Sequence, residues 1–267
     1  MIKNIYFDLD NTLYDFDTAS DLAVNTVAGY ASEKYGASKE YWVDKYNEYM
    51  YRQEKEAPYP NSGMHSRTIR YKLILEELGQ KVIPGAGELG HLYWKTLIDS
   101  ISPGHGIDTL LKSLHENGYH IGLATNMTSY VQFEKIRVLG LSDYFDSLVT
   151  SEEAVFEKPQ RQFFEYILGF DAADASTSLM IGDNLRLDVL ASMECGMRAL
   201  FYTGNLSSDK LNAAAKLAEN KGYRLTEFRG SMFDLDQITG WNPDPGEKSA
   251  DSVKEIPYIQ DFDQISI

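Results

Sequence analysis

The 267-residue chain combines 43% hydrophobic with 24% charged residues, a globular mixture that excludes disordered and fibrous classes. A formal net charge of -15, with no basic patch to offset it, makes duplex nucleic acid and anionic membrane poor partners. The single cysteine, Cys195, excludes an internal disulfide framework and a cysteine-rich zinc site, no apolar run reaches membrane-spanning length, and no apolar leader precedes the first strand. A soluble, unprocessed, cytoplasmic protein is therefore expected.

The first predicted strand, Ile5-Tyr6-Phe7, runs out at Asp8-Leu9-Asp10-Asn11-Thr12, which sets two carboxylates at i and i+2. Roughly a hundred residues separate it from the next strand of this kind, too many for a connection without structure of its own. Helices are expected over 18–35, 38–55, 66–78 and 87–99, an all-helical insert. Ser38 with Glu40 opens the second, whose Tyr41, Trp42, Tyr46, Tyr49 and Tyr51 read as core and rim packing; Gly79 stops the third. Arg67 and Arg70 on the third, near His65, have two readings. Either they reach an anionic or polyhydroxylated substrate, or they face solvent and pair with acids such as Glu76 and Glu77.

After Pro103 strands and helices alternate. Helices are expected near 106–117, 129–140, 160–169, 186–195 and 208–221, and strands at 121–124, 147–150, 178–182, 199–202 and 223–228. This pattern implies an α/β fold, a Rossmann-like doubly wound parallel sheet with helices on both faces. The predicted organisation is a core of 1–16 and 102–240, a helical cap of 17–101, and a tail of 241–267 whose prolines, glycine and charges suggest an extended or poorly ordered segment.

Three of the later strands also end in polar residues. Thr125-Asn126 follows 121–124, Lys158-Pro159 lies in the loop after 147–150, and Asp183, with Asp188 beyond, follows 178–182. In an open parallel sheet, ligands bind outside the carboxyl ends of the strands, so these ends can converge. Crowded carboxylates disfavour each other's ionisation unless a cation compensates, and a hard divalent ion, most naturally Mg²⁺, is the expected one. Lys158 and the Thr125 hydroxyl would supply the charge and hydrogen bond that phosphoryl oxygens need. Each motif alone also has an ordinary reading: a capping turn for Asp-Asn-Thr, a solvated lysine, a helix N-terminal acid for Asp188. The ordered set of strand ends is what lifts them above it.

That set, Asp8-x-Asp10-x-Thr12, Thr125-Asn126, Lys158-Pro159 and Gly182-Asp183-x-x-x-x-Asp188, resembles the haloacid dehalogenase-like hydrolase superfamily, specifically its members with a helical cap inserted after the first motif. Gln132, Gly140-Leu141, Tyr144-Phe145-Asp146 and Gly196-Met197 agree with it, and the resemblance covers about residues 1 to 240. It implies a Mg²⁺-dependent phosphatase. Asp8 would attack phosphorus to form an aspartyl-phosphate, and Asp10 would act as general acid and base with its backbone carbonyl on the metal. Asp183 would join Asp8 on Mg²⁺, Thr125, Asn126 and Lys158 would hold the phosphoryl group, and Asp188 would orient Lys158 or a metal-bound water. The cap would exclude water and select a small soluble phosphorylated metabolite, a sugar phosphate or a nucleoside monophosphate. Asp10 argues against dehalogenation, since dehalogenases resembling this pattern lack it. A phosphomutase, or a non-catalytic binding or regulatory protein with the same fold, stands as the alternative. Met127 departs from the glycine of many relatives, and Glu157, beside Lys158, could compete with phosphate for the lysine.

Overall fold

The computed structural model describes residues 1–56, 62–237 and 254–267. Strand β1 (Asn4–Phe7) is a short apolar run with Ile5, Tyr6 and Phe7 fully buried. It hands over to α1 (Phe16–Tyr35), α2 (Lys39–Glu56), α3 (Arg67–Glu77) and α4 (Gly85–Ser100), so all four expected inserted helices form. Side chains start three of them: Asp15 accepts from the Thr18 amide at 3.0 Å, Ser38 from the Tyr41 amide at 3.2 Å and Ser66 from the Ile69 amide at 3.3 Å. Trp42, Tyr46 and Tyr49 of α2 are buried, and Tyr46 packs against Tyr71 and Tyr93 with ring centroids 5.4 and 5.9 Å away, which is the packing role expected for the aromatic helix.

The rest of the chain alternates as expected. It runs α5 (Ile107–Glu116), β2 (His120–Thr125), α6 (Ser129–Leu139), β3 (Ser147–Thr150), α7 (Ser151–Ala154), α8 (Arg161–Phe170), β4 (Ser178–Gly182), α9 (Ala191–Glu194), β5 (Arg198–Tyr202), α10 (Ser208–Asn220) and β6 (Tyr223–Glu227). After these come β7 (Gly230–Ser231), α11 (Met232–Gln237), β8 (Lys254–Ile259) and β9 (Ile265–Ser266). Seven parallel strands form one sheet in the order β3-β2-β1-β4-β5-β8-β6, while β7 and β9 pair separately. The chain reverses direction across the sheet between β1 and β4, so the crevice of this Rossmann-like fold opens at their carboxyl ends.

Two expectations change. The helix expected over 186–195 is a π-helical turn from Leu185 to Leu190, followed by α9. Its wide turn accompanies Asp188, which points back to accept the Asn184 amide at 2.9 Å, and local π geometry of this kind is common at functional sites. The second concerns the expected tail. Residues 241–253 lie outside the described residues, but 254–267 belong to the core: β8 lies between β5 and β6, pairing Tyr258 with Phe201 and Thr226 with Pro257. Ile256, Ile259 and Phe262 are buried, and Phe262 stacks on Tyr202 at 4.6 Å. Pro257 suggested a break; it falls one residue before pairing with β5 begins, where its missing N–H is tolerated.

Candidate active site

Register brings the strand ends level. Phe7 pairs with both Leu123 and Ile181, and the Asp8 amide donates to the Ile181 carbonyl at 2.9 Å, which places Asp8 at the mouth between β2 and β4. A cavity of about 270 Å³ opens there. It is lined by the residues given catalytic, metal, phosphate or substrate roles above: Asp8, Asp10, Thr125, Asn126, Lys158, Asp183 and Asp188 from the core, and Arg67 and Arg70 from α3.

Lys158 is the hub. Its Nζ donates to Asp8 Oδ1 and to Asp188 Oδ1, each at 2.6 Å, with the ammonium almost fully buried. Asn126 fixes the lysine's backbone from both sides, its Oδ1 accepting from the Lys158 amide at 2.9 Å and its Nδ2 donating to the Lys158 carbonyl at 3.1 Å. The Asn126 side chain is thereby engaged, so contact with a phosphoryl group would fall to its main chain. Thr12 Oγ1 donates to Asp8 Oδ2 at 3.2 Å and accepts from the Asp183 amide at 3.1 Å, tying the ends of β1 and β4 together. Gly182 is required by this packing, because a Cβ there would lie 2.5 Å from the Asp188 carboxyl carbon.

Asp8, Asp183 and Asp188 offer carboxylate oxygens that all lie within 4.8 Å of one another. Burial pushes Asp8 up to about 7 against the pull of Lys158, with Asp188 and Asp10 adding to the rise. Asp183 is pushed well above the ordinary carboxylate range, first by burial and then by Asp8 and Asp188. Two carboxyls whose ionisation is suppressed in this way, in a cluster built only of hard oxygen donors, fit a divalent cation of the Mg²⁺ type.

Asp10 has a different setting. Although burial opposes it, Lys135 holds this carboxyl below its ordinary range; Lys135 Nζ donates to Oδ1 at 2.6 Å, the Tyr14 hydroxyl donates to the same oxygen at 2.5 Å, and Gln132 reaches Oδ2 at 3.5 Å. Gln132 Nε2 also donates to Thr125 Oγ1 at 2.6 Å, which occupies that oxygen as an acceptor and leaves the hydroxyl proton available to a ligand. Sequence reasoning missed Lys135. The signal was present: Gln132, Lys135, Ile136 and Leu139 share one helical face of α6 and are all buried, so a lysine there needs a buried partner.

Glu157 turns away from Lys158. It meets His65 Nε2 at 2.9 Å and Ser151 Oγ at 3.1 Å, so instead of competing with phosphate it joins the inserted helices to the core. Met127 keeps a positive φ of 155° despite its side chain, and Ser151 Oγ accepts its amide at 2.9 Å. Arg67 and Arg70 are buried rather than paired with Glu76 and Glu77; Lys72 and Lys45 take those acids instead.

A parallel sheet with a carboxylate-lysine cluster at its switch point is a Rossmann-like fold that carries a candidate site for a cation and a phosphoryl group. Residues 5–202 match the family model for haloacid dehalogenase-like hydrolases, and the chain belongs to that family. It is 29% identical over 238 residues to a ribulose-1,5-bisphosphate 5-phosphatase of Halopiger xanaduensis, covering 88% of this chain and 99% of that protein. It is 28% identical over 242 residues to the pyrimidine 5'-nucleotidase YjjG of Escherichia coli, covering 88% and 96%. Among solved structures, a 2-haloacid dehalogenase from Pseudomonas syringae superposes with a TM-score of 0.64 at 25% identity, covering 78% of this chain and 89% of that one. Among the described residues no helix is long and apolar enough to cross a membrane.

Proposed function

We propose that the protein hydrolyses a small phosphorylated metabolite through an aspartyl-phosphate on Asp8, with Mg²⁺ as cofactor. The observation that carries this reading is the single buried ammonium of Lys158 shared by Asp8 and Asp188, with Asp183 beside them at the sheet's switch point. Asp8 is held at one oxygen by Lys158 and at the other by Thr12, so its carboxylate is fixed before substrate arrives. Attack on phosphorus forms the Asp8 Oδ–P bond and breaks the bond to the leaving oxygen; water then cleaves the acyl phosphate. Lys158 and the Thr125 hydroxyl steady the phosphoryl oxygens.

Asp10 transfers the proton, to the leaving oxygen in the first step and from water in the second. Lys135 and Tyr14 favour its carboxylate form in the free site, so substrate binding must weaken one of these contacts for Asp10 to begin as an acid. Asp8, Asp183 and the Asp10 backbone carbonyl would hold Mg²⁺. When bound, the ion would neutralise the crowded carboxylates and the charge that develops on the phosphoryl group.

The small cavity and the names of the relatives, which include a sugar-bisphosphate phosphatase and a nucleotidase, favour sugar phosphates and nucleoside monophosphates as substrate classes. Presence of Asp10 favours phosphate over halide chemistry, since an alkoxide leaving group needs a proton. The deciding experiment is phosphate release from a panel of phosphorylated metabolites, with and without Mg²⁺, beside Asp8→Asn. Turnover requiring both Mg²⁺ and Asp8 is expected. Folded, metal-binding protein that turns over nothing would favour a phosphomutase or a non-catalytic binding protein instead.

A further inference from the structure

The core's two buried lysines around the cavity each close on a carboxylate: Lys158 on Asp8 and Asp188, Lys135 on Asp10. The two cap arginines do not. Arg67 is 7% exposed and Arg70 2%, and among the described residues no carboxylate lies within ion-pair distance of either guanidinium. Arg70 donates to Gln53 Oε1 at 2.6 Å, the Tyr46 hydroxyl at 3.0 Å and the Met64 carbonyl at 3.0 Å. Arg67 donates to the His65 carbonyl at 2.7 Å, lies 4.8 Å from the centre of the Trp94 ring and 5.4 Å from that of Tyr93, and leaves its buried Nε without a partner.

All of these acceptors are neutral, and they take up fewer N–H groups than two guanidiniums present. Burying a cation without an anion in contact is costly: burial, with Arg67 adding to it, holds Arg70 below its ordinary range, whereas against the same cost of burial Tyr93, Tyr46 and the more distant Asp10 hold Arg67 above its own. Arg70's three fixed contacts and Arg67's aromatic walls also hold the pair in place in advance, a geometry that favours binding an anion over packing alone. Both arginines line the cavity with Asp10, and Arg67 stands on the side where that carboxyl lies, since its guanidinium and the Lys135 ammonium that bonds Asp10 pack on the same two rings, Phe16 at 5.9 and 5.3 Å and Trp94 at 4.8 and 5.5 Å. In the phosphatase reading that is the side of the leaving group.

We propose that Arg67 and Arg70 form a subsite for a second anionic group, a carboxylate or a second phosphate, carried on the leaving-group part of the substrate. The proposal rests on the phosphatase reading above and narrows its substrate class to phosphomonoesters that bear a further negative charge. It also accounts for how a chain of net charge -15 admits a multiply charged ligand, since the cap presents local positive charge at the cavity.

The test compares matched substrates in Mg²⁺: a pentose 1,5-bisphosphate against the pentose 5-phosphate, and 2-phosphoglycolate against 2-hydroxyethyl phosphate. Wild-type kcat/KM should favour the doubly anionic member of at least one pair by roughly ten- to a hundredfold, and which pair responds separates phosphate from carboxylate. Arg67→Met and Arg70→Met should collapse that ratio toward one, while Arg70→Lys keeps part of it. Turnover without preference in either pair would overturn the subsite and leave the phosphatase reading standing. So would variants that slow both members equally, since the arginines would then serve the transferred phosphoryl group or the cap's own fold. Should the methionine variants not fold, the wild-type ratios and Arg70→Lys decide alone. Absence of Mg²⁺-dependent turnover on every compound would overturn both proposals.

Discussion

Replacing Lys135 with Met removes the buried cation that holds Asp10 while keeping a side chain of similar length and volume. At 2.6 Å the pair attracts by about 6 kcal/mol at an effective dielectric of about 20. Desolvation offsets much of this, since burial holds Lys135 itself below its ordinary range against the pull of Asp10, and breaking a buried pair from one side typically costs about 3–5 kcal/mol. Asp10 is 23% exposed and keeps Tyr14 and Gln132, which puts the expected loss near the lower end, about 3 kcal/mol or roughly 6–12 °C in Tm. The pH dependence has a definite sign. Because the folded-state pKa of Asp10 is depressed, the pair's contribution is present above the unfolded carboxyl value near 4 and lost as pH falls through the folded value. In Lys135→Met the buried carboxyl is instead pushed up, so the deficit against wild type should be full at pH 7 and narrow by pH 5. Urea denaturation followed by tryptophan fluorescence suits the measurement, with Trp94 lying 5.5 Å from the Lys135 ammonium. A deficit under about 1 kcal/mol at pH 7, or one equal at both pH values, would refute the reasoning.

Asp8→Asn should abolish turnover yet stabilise the metal-free protein by about 1–3 kcal/mol at pH 8. The Asp8 carboxyl, raised to about 7, costs stability once pH exceeds the unfolded value near 4, so the gain should vanish at about pH 4; a variant that melts below wild type in chelator at pH 8 contradicts this. Mg²⁺ at about a hundred times its dissociation constant should raise wild-type stability by about 2.7 kcal/mol, and Asp183→Asn should lose most of that rise; calorimetry with and without chelator checks both. Phe262→Ala should cost about 3–5 kcal/mol, because the ring is buried between Tyr202 and Phe7; a cost below about 1 kcal/mol in urea would mean that the carboxyl-terminal strand is not anchored as described.

The sequence by itself determined what local chemistry determines. Apolar runs such as Ile121–Ala124 and Leu179–Ile181 specify buried parallel strands, and the polar residues after them stand at strand ends because each run simply stops there. That is why the α/β alternation, the four inserted helices and the set Asp8, Asp10, Thr125, Lys158, Asp183 and Asp188 were all legible in one dimension. Tertiary structure decided the pairings between distant residues. Asp10 and Lys135 are 125 positions apart, and nothing local to either names the other. Arg67 and Arg70 look like ordinary helix-surface arginines until packing against Trp94 and Tyr46 turns them toward the cavity. Residues 254–259 contain enough charge and a proline to resemble a tail; they become a strand within the sheet because their backbone pairs with β5 on one side and β6 on the other. A strand's partner is set by free backbone groups elsewhere in the fold, and a side chain's ionisation by charges brought near it in space; neither is written in the neighbouring sequence.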